Sequence, residues 1–94
     1  MTPIGGYVLV RLSSPEKGLR RGRVLAVGTG TYGYDGNLKV PQVQVGWDVL
    51  LVPGNPLNNN NPNALLPGEY QTADDQDQPA VLIPEQNILA RDTR

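Results

Sequence analysis

Apolar residues in this chain come in short bursts, often at every second position, separated by glycine, proline and polar turns. The first burst is Tyr7-Val8-Leu9-Val10-Arg11-Leu12, which predicts a strand with Val8, Val10 and Leu12 on its inner face. Ser13-Ser14-Pro15-Glu16-Lys17-Gly18 is a turn-rich link, and Arg23-Val24-Leu25-Ala26-Val27 predicts a second strand that stops at Gly28. Residues 30–42 predict a hairpin in which Asp35-Gly36 joins Tyr32 and Tyr34 to Leu38 and Val40 through a type I′ turn. Val43-Gln44-Val45 alternates, Gly46 punctuates, and Asp48-Val49-Leu50-Leu51-Val52 is the most apolar strand.

Beyond Val52 the pattern stops. Pro53–Gly68 holds four prolines, six asparagines and two glycines and shows neither a helical nor a strand period. It reads as a long inserted loop, a feature that in small domains is usually functional or disordered. Glu69-Tyr70-Gln71-Thr72 returns toward the sheet, and Asp74-Asp75-Gln76-Asp77 reads as an acidic turn. Ala80-Val81-Leu82-Ile83 predicts another strand, Pro84-Glu85-Gln86-Asn87 a turn or single helical turn, and Ile88-Leu89-Ala90 a closing strand before the polar tail 91–94. Short strands with Gly/Pro punctuation and no helical period predict an all-β fold, a small barrel or sandwich in one domain.

Composition narrows what such a domain does. A chain of 94 residues buries only roughly 60–65% of its unfolded surface, so contact between identical subunits is a natural supplement to its core. The net charge of −1 gives no global attraction for nucleic acid. With no Cys and no His, the chain lacks disulfides, thiolate nucleophiles, imidazole bases and the usual zinc ligands. No apolar run approaches the roughly 20 residues of a membrane helix, and the first twelve residues lack a signal-peptide pattern. The expected location is cytoplasmic.

The candidate chemistry is thin. Gly28-Thr29-Gly30-Thr31-Tyr32-Gly33 matches a dinucleotide-binding spacing, but that motif needs a helix next, and a hairpin follows instead. Its glycines are better explained as positive-φ positions where the strand leaves the sheet. Asp74, Asp75 and Asp77 lack the glycine and distant Glu of a calcium-binding loop and read as a solvated turn. Lys17, Arg20, Arg21 and Arg23 form the only basic cluster, which without interleaved aromatics predicts a solvated face or a subunit contact rather than a nucleic-acid site. The two serines, Ser13 and Ser14, have no histidine to activate them, and Glu16, Glu69 and Glu85 fall in separate turns. No catalytic set, metal site or cofactor is expected.

Five segments in order carry a family resemblance: Tyr7–Arg11, Arg21–Gly30, Tyr34–Asn37, Gln44–Leu51 and Val81–Ala90. Together they resemble the GroES-like co-chaperonins, and the similarity covers most of the chain. The resemblance implies an irregular antiparallel β-barrel with a projecting roof hairpin whose turn is Tyr34-Asp35-Gly36-Asn37. It also implies a ring-type homo-oligomer in which the first strand (Val8, Val10, Leu12) pairs with the last strand (Ile88, Leu89, Ala90) of a neighbour. Three departures bear on function. Between Leu12 and Gly22 only Ser13–Arg21 remain, too short for the family's mobile loop and without its apolar docking tripeptide. The segment Pro53–Gly68 stands where the family has a short connection, and within it Leu57 and the tip Ala64-Leu65-Leu66-Pro67 are apolar. That tip reads equally as a docking element or as a peg that packs the loop onto its own domain. Trp47, where the family usually has Asp, is a packing residue or a binding hot spot. The reading that follows is a non-enzymatic assembly module, such as a capsid decoration protein found in the virion. The alternative is a phage-type co-chaperonin that caps a chaperonin ring.

Overall fold

In a computed structural model that describes residues 2–15, 18–54 and 65–93, the chain is all-β and antiparallel. Its strands are β1 (Tyr7–Leu12), β2 (Arg20–Val27), β3 (Thr31–Tyr32), β4 (Leu38–Lys39), β5 (Asp48–Leu51), β6 (Tyr70–Ala73), β7 (Pro79–Pro84) and β8 (Ile88–Arg91), with one 3-10 turn at Glu85–Asn87. Six of them form one sheet in the order β6-β7-β1-β2-β5-β8, while β3 and β4 form a separate two-stranded sheet. No helix among the described residues is long and apolar enough to cross a membrane.

Alternation builds the core. Val8 and Val10 of β1, Val24 of β2, Val49 and Leu51 of β5, and Val81 and Ile83 of β7 meet in one buried cluster. Each such side chain contributes roughly 1.5–3 kcal/mol by leaving water. Leu9, on the opposite face of β1, is buried as well. Leu12, Val27, Val43, Trp47, Leu65 and Ile88 close the cluster from its margins.

Four expectations need correction. β2 begins at Arg20 rather than Arg23, because its first four residues pair in regular register with Asp48–Leu51 of β5. Gly22 belongs inside this strand: a Cβ there would collide with the Val10 side chain and the Arg11 carbonyl of β1. Val43-Gln44-Val45, whose alternation suits a strand, is not one. The Trp47 N–H closes a turn onto the Gln44 carbonyl, and Gly46 (φ +91°) lets its own N–H reach the Val24 carbonyl. Opposite this turn, β2 bulges at Leu25, since Leu9 pairs with Ala26 but Val10 with Val24. The polar tail starts one residue later than expected, because Arg91 completes β8, and the Asp92 N–H still bonds to the Asp48 carbonyl.

The fourth correction concerns the Asp35-Gly36 turn. The Gly36 N–H bonds to the Gly33 carbonyl and the Gly33 N–H to the Asn37 carbonyl. Only Gly36 has positive φ (+79°), so this is a three-residue loop with a left-handed third residue, not a type I′ turn. The acidic turn repeats the design: the Asp77 N–H bonds to the Asp74 carbonyl, the Asp74 N–H to the Gln78 carbonyl, and Asp77 takes φ +60°. Two hairpins thus share one backbone solution, with glycine at the strained position in one and aspartate in the other. Exchanging the chemistry tests this. Gly36→Ala should cost about 1 kcal/mol, because a Cβ there meets nothing and only the left-handed conformation penalises it. Asp77→Gly should gain up to about 1 kcal/mol. Urea unfolding curves would check both signs.

Candidate functional site

The sheet ends at β8, which bonds to β5 on one side and has no strand on the other among the described residues. Beside this open edge lies a groove of about 310 Å³ lined by Gln42, Val43, Trp47, Glu85, Gln86 and the β8 residues. The Arg91 guanidinium lies 4.3 Å from the centre of the Trp47 ring, a cation–π contact that fixes the indole against the strand. Glu85 accepts the Gln42 N–H at 2.7 Å and so ties the far wall of the groove to the 3-10 turn. Along β8, Ile88 packs on the core while Leu89, 54% exposed, points outward. An unpaired strand edge with an outward apolar residue is a surface suited to pairing with another chain.

Beneath this edge sits a buried ionic cluster. Arg20 and Glu69 have no solvent-accessible side-chain surface and meet in a bidentate pair at 2.6 and 2.7 Å. Further hydrogen bonds tie the pair to the backbone and to Asn87. Arg20 Nε donates to the Val52 carbonyl, while Glu69 accepts from the Leu66 N–H and from Asn87 Nδ2. The Val52 N–H completes the ring by donating to the Asn87 carbonyl. Burial pushes the Glu69 carboxyl up, but the Arg20 hydrogen bonds, the Leu66 and Asn87 donors and the Arg20 charge outweigh it, leaving its pKa below the ordinary value.

The structure distributes the sequence-predicted site residues rather than gathering them. Arg20 leaves the proposed basic contact cluster for the interior, because alternation from the core-facing Gly22 and Val24 places it on the same face. Arg21 pairs with Asp92 at 3.5 Å and Arg23 with Asp48 at 3.1 Å, directly across the β2–β5 ladder. The Arg23 hydrogen bond and charge lower the Asp48 pKa. Arg11 is bound in the same way by Asp74, whose pKa falls through this hydrogen bond and those from Gln78 and Gln76. Each arginine of this face therefore meets an aspartate, and no basic patch forms among the described residues.

Val8, Val10 and Leu12 are also misplaced as interface residues. β1 lies between β7, which pairs with Tyr7–Val10, and β2, which pairs with Val8–Leu12, and the side chains of Val8 and Val10 are buried in the core with Leu12 packed against it. Ile88, Leu89 and Ala90 do line the open edge. Tyr34, Asp35, Gly36 and Asn37 form the exposed tip of the β3–β4 hairpin. Gly30 has the expected positive φ (+99°), whereas Gly28 is required by close backbone approach: a Cβ would strike the Gly5 carbonyl. Of the apolar loop tip, Leu65 packs against the core, Leu66 is half-buried with its N–H on Glu69, and Pro67 is exposed in the turn before Glu69. Lys17, Leu57 and Ala64 lie outside the described residues. No group of three metal-ligating side chains occurs among the described residues.

Sequence reasoning missed Glu69, Asn87 and Arg91. A period-2 count running backward from Val24 through Gly22 would have found Arg20 in the core, and a buried arginine demands a carboxylate. Nothing local marks Glu69 as that partner. No protein-family model matches the chain, and no curated protein matches it.

The ionic cluster makes a sharp stability prediction. Glu69→Gln leaves the Arg20 charge buried without its counter-ion and should cost about 3–5 kcal/mol, whereas the double replacement of Arg20 and Glu69 by Met buries no charge and should cost less, its penalty coming from the part-buried Val52 carbonyl, Leu66 N–H and Asn87 amide that lose their partners. The two mutants' denaturation midpoints would show it. Because the folded Glu69 pKa lies below its ordinary value of 4.5, its contribution is complete above that pH and is lost as pH falls through the lower, folded value. Wild-type stability should therefore drop more steeply below about pH 4.5 than that of the double-Met variant.

Proposed function

We propose that this chain is a non-enzymatic, GroES-like oligomerisation module whose role is structural assembly, of the kind served by capsid decoration proteins. The observation that carries this reading is the open edge of β8 beside the Trp47 groove. A second copy can extend the sheet there and satisfy the free backbone groups of the edge. Because β1 is interior, the donor would be the segment ahead of it, where Ile4 stands 80% exposed. A modest core of short strands gains from such burial between subunits.

The packing of Leu65 separates this reading from the co-chaperonin alternative. A docking tripeptide must present its apolar side chains outward. Here Leu65 turns onto the core and the Leu66 backbone is bonded to Glu69, which favours the peg over the docking element. The matched arginine–aspartate pairs speak for a protein partner over nucleic acid.

Native mass spectrometry tests the assembly. The wild-type chain should form a closed oligomer, and Leu89→Glu, at an exposed position, should give folded monomers with an unchanged circular dichroism spectrum. A wild-type chain that stays strictly monomeric at high concentration would defeat the proposal. Nucleotide-dependent capture by a purified chaperonin ring, lost on Leu66→Ser, would replace it with the co-chaperonin reading.

A further inference from the structure

The exposed tip of the β3–β4 hairpin carries Asp35-Gly36, a pair with distinctive backbone chemistry. In any Asp-Gly pair the carboxyl carbon is one rotation about the side chain away from the next residue's nitrogen, and glycine has no side chain to shield that nitrogen. In the folded hairpin three hydrogen bonds oppose the encounter. Asp35 Oδ1 accepts the Asn37 N–H at 3.0 Å and Oδ2 accepts Asn37 Nδ2 at 3.2 Å. The Gly36 N–H, which would have to be given up, donates to the Gly33 carbonyl at 3.0 Å. Gly33 takes part by its smallness: a Cβ there would come within 2.9 Å of Lys39 Cε and 3.1 Å of Asp35 Oδ1 and press on both side chains.

We propose that Asp35 is a latent isoaspartate site, a place of spontaneous backbone rearrangement that the Asn37 donors hold back while the hairpin is folded. The reaction starts from the neutral acid. The Gly36 nitrogen bonds to Asp35 Cγ, and the carboxyl hydroxyl leaves as water with the Gly36 amide proton, closing a succinimide. Water then adds to one of its two carbonyls. Opening at the side-chain carbonyl restores aspartate, while opening at the backbone carbonyl routes the chain through Cγ as isoaspartate. Asn37 acts on the first step, because its two donors favour the ionised carboxylate, which has no hydroxyl to lose. The lowered pKa of Asp35, due first to the Asn37 backbone bond and then to its side chain, agrees with this. Isoaspartate adds a methylene to the main chain, and a three-residue loop with one left-handed residue does not accommodate it. The rearrangement would therefore open the hairpin tip as the protein ages.

Incubation at neutral pH followed by proteolysis and mass spectrometry that distinguishes isoaspartyl from aspartyl peptides tests this. Three samples are compared: the folded wild-type chain, the same chain in guanidinium chloride, and folded Asn37→Ala. Asp77-Gln78 serves as an internal reference in a hairpin of the same geometry. Isoaspartate at Asp35 should form fastest in the denatured chain and slowest in the folded wild type. Asn37→Ala should raise the folded rate roughly three- to tenfold, the span expected for losing one hydrogen bond, with no change at Asp77. Equal rates in folded and denatured wild type would overturn the proposal. So would a rate unaltered by Asn37→Ala, or no isoaspartate at Asp35 in the denatured chain.

Discussion

The Arg20–Glu69 pair is the constraint around which the rest of this protein is arranged. The six-stranded sheet begins at β6 and ends at β8, and among the described residues no ladder joins these two strands. What connects the two ends is polar. Glu69, immediately ahead of β6, binds Arg20 at the start of β2 and Asn87 immediately ahead of β8. Through the Val52 carbonyl and the Leu66 N–H the same cluster also holds the chain leaving β5 and the chain approaching β6. Apolar packing alone would tolerate several curvatures of such a sheet. A buried bidentate pair is far less tolerant, because a slip that separates Arg20 from Glu69 leaves a buried charge unpaired.

The outer face obeys a different rule. There the arginines of β1 and β2 meet aspartates from the β6–β7 turn, from β5 and from the residue after β8. These solvent-facing pairs add little stability. Their effect is on recognition, since they leave no concentration of positive charge on the strands. The features that remain for contact include the open β8 edge, the Trp47–Arg91 stack beside it, the β6 edge with the exposed Tyr70, and the exposed β3–β4 hairpin. Backbone edges and apolar side chains suit another protein surface, and on the proposed reading that surface is first of all a second copy of the chain.

Much of the strand content was legible because strands with one buried face write their period into the sequence. β1, β5 and β7 show it plainly in Val8/Val10, Val49/Leu51 and Val81/Ile83. Where the period failed to guide, a neighbour had intervened. Val43-Gln44-Val45 alternates like a strand, yet its backbone turns to serve Val24. Asp35-Gly36 carries the residues of a two-residue turn, yet the chain folds it into a three-residue loop that Asp74–Gln78 also adopts with no glycine at all. The basic cluster was misread because consecutive positions of a strand face opposite ways, which sends Arg20 inward while Arg21 and Arg23 stay outside.

The first and last strands show where sequence stops and tertiary structure takes over. The sequence by itself determined an all-β chain, most of its strands, and the lack of histidine and cysteine, since period, turn residues and composition are local properties. It did not determine that β1 lies in the interior of the sheet while β8 lies at its edge, because neighbours in a sheet are chosen by contacts between residues far apart in the chain. Nor did it determine that Arg20 and Glu69, 49 positions apart, form the one buried ion pair among the described residues. A charge is admitted to the interior only when its partner arrives with it, and only the folded chain brings them together.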